Sequence, residues 1–220
     1  MPYPILTLDG GGSKGFFTLG ILTVIEELIA PKMLHEHFQL IYGTSTGAII
    51  GALLATGLSA KEVYTLYQHH LPTIMEPLLP KSKSSALREL AEHYLGPYSF
   101  RELKSDFGVI MTRDEEKCAT IATSTENHQN EFNDLLLPTP ITLAESVIAS
   151  SSAYPIFQKQ QHQGEDGYPI TLIDGGFSAN NPALFALSDA LSRKIPLEQI
   201  SLLSLGTGDF PYPDYFSQKR

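Results

Sequence analysis

Two glycine-punctuated turns constrain this chain more than any other feature, because each is wedged between an apolar run and a helical pattern. The first is Asp9-Gly10-Gly11-Gly12-Ser13-Lys14-Gly15, preceded by Ile5-Leu6-Thr7-Leu8. The second is Gly43-Thr44-Ser45-Thr46-Gly47, preceded by Phe38-Gln39-Leu40-Ile41-Tyr42. A short apolar run that turns sharply into a helix reads as a strand–turn–helix unit. Two such units in succession put an anion-cradling loop beside an exposed serine, the arrangement a serine acyl hydrolase requires.

The rest of the pattern extends this α/β reading to a largely parallel sheet. Helices are expected over 16–29, stopped by Pro31, over 47–56, and over 60–71, with Ser59 as N-cap and Glu62 at the capping-box position. Residues 71–85 hold three prolines, several apolar residues and two lysines, and read as a loop or cap, with a helix following over 86–95. Strands are expected over 108–112 and 119–123, joined by a charged turn, and over 170–173 and 200–205. Further helices fall over 142–150 and 182–191, the latter with Pro182 at its start, where a missing N–H costs least.

Composition excludes several function classes. A net charge of −9 lacks the clustered Lys and Arg that phosphate backbones require, so nucleic acid is not the expected partner. An anionic membrane is repelled overall unless a local patch offsets this charge. Cys118 is the single cysteine, which rules out an internal disulfide and fits a reducing compartment. With no secretory pattern at the N-terminus and no apolar run near the roughly 20 residues of a membrane span, the chain reads as soluble and cytoplasmic.

The glycine turn satisfies the dinucleotide spacing, Gly10-x-Gly12-x-x-Gly15, but that use needs an acid at the end of the second strand. Gly43-Thr44-Ser45 stands there instead. A P-loop needs Lys-Ser/Thr where this chain has Phe16. What survives is the shared physics: backbone N–H groups and a helix N-terminus turned toward an anion. In a hydrolase that anion is an oxyanion, with Gly11 and Gly12 as donors and Lys14 anchoring the turn or adding positive potential.

Ser45 needs a base. A histidine triad would follow the order serine, acid, histidine, yet no histidine follows Asp174; Asp134 or Glu145 with His162 is the alternative, in a polar run over 158–167 that reads as loop. Asp174 ends an apolar strand and precedes Gly175-Gly176, and a parallel strand would carry it to the edge that holds Ser45. Asp9 ends a strand in the same way. A carboxylate serves as base only with its pKa raised by burial and the hydroxyl close by.

Taken together, Asp9-Gly10-Gly11-Gly12-Ser13-Lys14-Gly15, Gly43-Thr44-Ser45-Thr46-Gly47 and Asp174-Gly175-Gly176 resemble the patatin-like phospholipases. The resemblance continues through 149–155, Ala179-Asn180-Asn181-Pro182 and 204–208, so it spans most of the chain. It implies a three-layer α/β/α sandwich with a mostly parallel central sheet, one catalytic domain over 1–220, and a Ser-Asp dyad without histidine. Ser45 is then the nucleophile, Asp174 (rather than Asp9) the base, and Gly11 and Gly12 the oxyanion hole. Gly10, Lys14, Gly15, Gly43, Gly47 and Gly175 support the site, and Asn180-Asn181-Pro182 and the Pro155 block shape it. Lys14 stands where many members carry arginine, which keeps the charge and loses the planar fork. The chain is either a compact member or the catalytic part of a longer protein. No cofactor and no metal is implied. The expected partner is a lipid substrate, met through transient contact with a membrane surface. Phe16, Phe17, Leu78, Leu79, Tyr212, Tyr215 and Phe216 are candidates for acyl or interface contacts, with helix core as the alternative for the two phenylalanines. Lys81, Lys83 and Arg88 form a small basic cluster, a candidate contact for phosphate headgroups with a solvated face as the alternative.

Overall fold

A computed structural model describes residues 2–124, 134–165 and 167–208. Its frame is four parallel strands in the order β7 (Ile200–Leu205), β1 (Tyr3–Leu8), β2 (Leu40–Thr44), β3 (Asp106–Arg113). Side chains alternate across these strands as a pleat requires. Leu6, Leu8, Ile41, Val109 and Met111 face one helical layer, while Ile5, Leu40, Tyr42 and Ile110 face the other.

The first layer contains α1 (Gly15–Ile29), α2 (Leu34–His37), α3 (Thr46–Thr56), α4 (Ala60–Met75), α5 (Pro80–Leu95) and α6 (Leu143–Ser150). The short α7 (Gly176–Ala179) and α8 (Ala183–Ser192) bring Ala179, Ala186 and Ala190 to the opposite face. The sandwich is therefore the α/β fold expected, with capping boxes at Ser59–Glu62 and Thr142–Glu145 starting α4 and α6.

A buried polar network ties α8 to the sheet. Asp189 accepts from Tyr42 OH at 2.7 Å and from Arg193 Nε at 2.6 Å, and Arg193 also pairs with Asp106. Each charge is paired, so the cost of burying it is offset.

Antiparallel strands complete the sheet and correct one expectation. β4 (Cys118–Thr123) forms the anticipated hairpin with β3, whereas β6 (Pro169–Asp174) is antiparallel to β3 rather than parallel. β4 occupies one edge of β3 from Gly108 to Arg113. Hence β2, paired over Asp106–Ile110, and β6, paired over Met111–Arg113, share the other edge. Running in opposite directions, they end head to head: Thr44 lies opposite Ile110 and Asp174 opposite Met111.

Two more expectations change. Most of the 71–85 stretch is helical: Pro80 occupies the tolerated first turn of α5, and Pro72 falls in the last turn of α4, where the helix is about to end. The polar run over 158–167 contains an edge strand, β5 (Gln160–Gln163), which pairs with β6. No described helix is long and apolar enough to cross a membrane.

Candidate active site

The head-to-head junction of β2 and β6 builds the site. Ser45 follows β2 directly and serves as N-cap of α3 with φ 53° and ψ −122°. This backbone region is strained for a residue with a Cβ, and it aims the side chain away from the sheet. Close packing beneath demands glycine at 47, where a Cβ would run into the Leu8 carbonyl. Gly43 lies within β2, opposite Leu8.

Across the junction, Ser45 Oγ donates to Asp174 Oδ2 at 2.5 Å. Asp174 Oδ1 accepts the Gly176 N–H at 2.7 Å, which leaves Oδ2 for the serine. Burial pushes the Asp174 carboxyl above its ordinary value, opposed by the bonds from Ser45 and the Gly176 N–H. The aspartate is clamped by the end of α6 and the residues that follow it: its N–H donates to Ser152 O and the Gly175 N–H to Ser150 O, both at 3.1 Å. At Gly175 a Cβ would press on the Ile110 carbonyl, so the strand ends could not meet.

Ser150 completes the clamp. Its hydroxyl accepts the Ser45 N–H at 2.8 Å and donates to Ile110 O at 2.6 Å. Sequence reading places it only in a block that shapes the site. Its small size and polarity at the end of α6 were the available signal.

The glycine turn lies alongside. Gly10 is occupied, its N–H donating to Asn180 O and its carbonyl accepting from Asn180 Nδ2. Gly11 and Gly12 differ: among the described residues, neither N–H meets a protein acceptor. Thr46 Oγ1 at 3.0 Å and Tyr67 OH at 2.5 Å hold the Gly12 carbonyl and so fix the turn. Lys14 ends the turn, half-buried, with its N–H on Gly11 O, and Gly15 begins α1. Asp9 is directed elsewhere, accepting from Asn181 Nδ2 at 2.8 Å.

Ser45, Asp174 and Gly12 line a predominantly apolar cavity of about 360 Å³ between α3, α4, α5 and α6. Leu53, Leu71, Ile74, Leu87 and Leu90 form much of its wall. His70 also lines it and bonds to Tyr94 OH at 2.9 Å rather than to Ser45. His162 lies on β5 and bonds to Thr139, and Glu145 caps α6, so neither approaches the serine. Among the described residues, no three His, Cys, Asp or Glu side chains converge as metal ligands would.

Phe16 packs edge-on against Tyr64 and Tyr67 as core, while Phe17 is 53% exposed. Arg88, on α5 with Lys81 and Lys83, donates to Gln160 Oε1 at 2.6 Å. Tyr212, Tyr215 and Phe216 lie outside the described residues.

A polarised hydroxyl, a buried carboxylate and two open N–H groups beside an apolar cavity can carry acyl transfer. A family model described as patatin-like phospholipase matches residues 6–187. The chain is 36% identical to a cUMP-AMP-activated phospholipase of Escherichia coli, over 95% of this chain and 66% of that protein. It is 28% identical to a cGAMP-activated phospholipase of Escherichia coli strain TW11681, over 98% of this chain and 66% of that one. It thus spans just under two thirds of the length of these curated relatives. Among solved structures, VipD from Legionella pneumophila shares the fold, with a TM-score of 0.59 at 13% identity over 91% of this chain and 49% of that one.

Proposed function

The chain belongs to the patatin-like phospholipase family, and from that premise we propose that it hydrolyses ester bonds of phospholipids or related lipids through a Ser45–Asp174 dyad. The observation that carries this reading is the 2.5 Å bond from Ser45 Oγ to Asp174 Oδ2 on the wall of an apolar cavity.

Asp174 takes the hydroxyl proton as Ser45 Oγ attacks the ester carbonyl carbon. The Gly11 and Gly12 N–H groups, with the N-terminus of α3 behind them, hold the oxyanion of the tetrahedral intermediate. Collapse expels the alcohol half of the lipid, which receives the proton from Asp174, and leaves the acyl group on Ser45. Asp174 then deprotonates a water, whose attack on the acyl-enzyme releases the fatty acid and returns the proton to Ser45. Burial makes Asp174 a stronger base than a solvated carboxylate, and the cavity accommodates the acyl chain.

The test compares the parent with Ser45→Ala and Asp174→Asn on labelled phospholipid, neutral lipid and short esters. Each arm runs with and without cyclic dinucleotides, because two relatives are named for such activation. Fatty acid release is expected from the parent, with a loss of at least about 1000-fold in both variants. Unchanged turnover in Ser45→Ala ends the mechanism. Activity confined to short esters replaces the lipid assignment with a small-ester or thioester hydrolase. Silence in every arm, with no labelling by a fluorophosphonate, favours a binding or regulatory module.

A further inference from the structure

The connection between α4 and α5 is Glu76-Pro77-Leu78-Leu79, and it exposes apolar surface at its tip. Leu78 is 95% and Leu79 66% exposed, with the exposed Met75 just behind them. Two adjacent leucines open to water are unfavourable unless something covers them.

The residues just beyond the tip narrow the choice of partner. Lys81 and Lys83 occupy the first turn of α5, which has no acidic residue. Cations there oppose the helix dipole, whose N-terminal end is already positive. Among the described residues neither lysine reaches a carboxylate. In a chain of net charge −9 these two lysines outnumber the single carboxylate of the connection, the exposed Glu76, and stand directly beside the apolar tip, a pairing that matches anionic headgroups above acyl chains.

The tip is also continuous with the cavity. Along α4 the lining proceeds from Tyr67, bonded to Gly12, through His70 and Ile74 to Met75 at the foot of the tip. From Tyr67 to Met75 that path rises about 12 Å along the helix.

We propose that the α4–α5 tip docks this protein on a lipid bilayer with anionic headgroups. Leu78 and Leu79 enter the acyl region, and Lys81 and Lys83 meet the headgroup phosphates. The proposal deepens the lipid-hydrolase reading and rests on it only for the purpose of docking, since binding itself needs no turnover. Docking this tip brings the apolar wall of α4 to the surface from which an acyl chain is drawn toward Ser45.

The test uses the full chain carrying Ser45→Ala, so that vesicles stay intact, and measures co-sedimentation with phosphatidylcholine vesicles with and without phosphatidylglycerol. Binding is expected to anionic vesicles and to weaken as salt is raised. Leu78→Ser/Leu79→Ser lowers partitioning by about 100-fold. Lys81→Gln/Lys83→Gln lowers it by about 10-fold or more on anionic vesicles only. Circular dichroism checks that each variant is folded. Leu78→Trp gives an independent readout, because the chain has no tryptophan: its emission shifts to the blue on vesicles and is quenched by brominated lipid. Failure of the Ser45→Ala protein to bind either vesicle overturns the proposal, as does parental binding by the leucine variant or an emission that does not move. The first two outcomes would assign the tip to a protein partner or leave the leucines uncovered. Vesicle binding with no turnover in the parent preserves docking and removes the hydrolase reading; turnover without tip-dependent binding does the reverse.

Discussion

Replacing Ser150 with alanine probes the part of the site that depends most on tertiary geometry. The Ser150 hydroxyl is fully buried and links the Ser45 N–H, at 2.8 Å, to the Ile110 carbonyl, at 2.6 Å. Ser150→Ala strips a partner from each. An unsatisfied buried polar group costs about 1–3 kcal/mol, so two of them, with some relaxation, cost roughly 2–4 kcal/mol. In a domain of this size each kcal/mol moves Tm by about 2–4 °C, which gives a fall of roughly 4–16 °C. Activity should suffer more. A positive φ at a non-glycine residue stores about 1–3 kcal/mol, and Ser45 at φ 53° can relax once its N–H is released. A displacement of the hydroxyl by about 1 Å lowers kcat by about 100-fold, with KM little changed. Scanning calorimetry and turnover of vesicle phospholipid measure the two effects. A Ser150→Ala protein that melts within about 1 °C of the parent and turns over at the parental rate would mean that Ser150 does not hold Ser45 in place.

The same geometry sets other outcomes. The Asp174 carboxyl is held above its ordinary value of 3.8, and the base form is the ionised one. Turnover therefore falls as pH drops through the raised folded value, giving a pH–rate profile whose acid limb lies above 3.8. For stability the folded state keeps its proton to higher pH than the unfolded chain, so this group's contribution declines as pH rises from 3.8 through the folded value. Asp174→Asn removes that penalty, and at neutral pH it should melt above the parent while losing turnover, as thermal melts across pH will register. Gly47→Ala forces a Cβ against the Leu8 carbonyl and separates α3 from β1; a loss of about 3 kcal/mol or more, or no soluble protein, is expected in denaturant titrations. Ala91→Phe fills part of the cavity, so hydrolysis of long-chain phospholipid should fall at least about 10-fold further than that of short esters in parallel rate measurements.

The two opening βα units were legible because local physics dictates them: apolar strands, glycines where the chain turns, and small residues where α3 presses on β1. The capping boxes at Ser59 and Thr142 were equally local. Asp174 was legible as a strand-end acid, while its route to Ser45 was not. An apolar run over 170–173 reads the same in either direction, and only the pairing along one edge of β3 reverses it. The polar Gln160–Gln163 strand was hidden because an edge strand needs no apolar alternation. Residues 71–85 read as loop because three prolines argue against helix, yet Pro80 stands in the first turn of α5, where a missing N–H costs least, and Pro72 falls in the last turn of α4, where little helix remains to be disrupted. Ser150 and His70 acquire their places only through packing between α6, β3, α4 and α5, which no sequence window spans.

On the proposed mechanism, Ser45 and Asp174 act as one nucleophilic unit. Mapping the site of a fluorophosphonate adduct by mass spectrometry, with its rate of formation, tests this most directly. A single adduct on Ser45 is expected, formed at least about 100-fold more slowly in Asp174→Asn. An adduct on another residue, or parental labelling of Asp174→Asn, would contradict it.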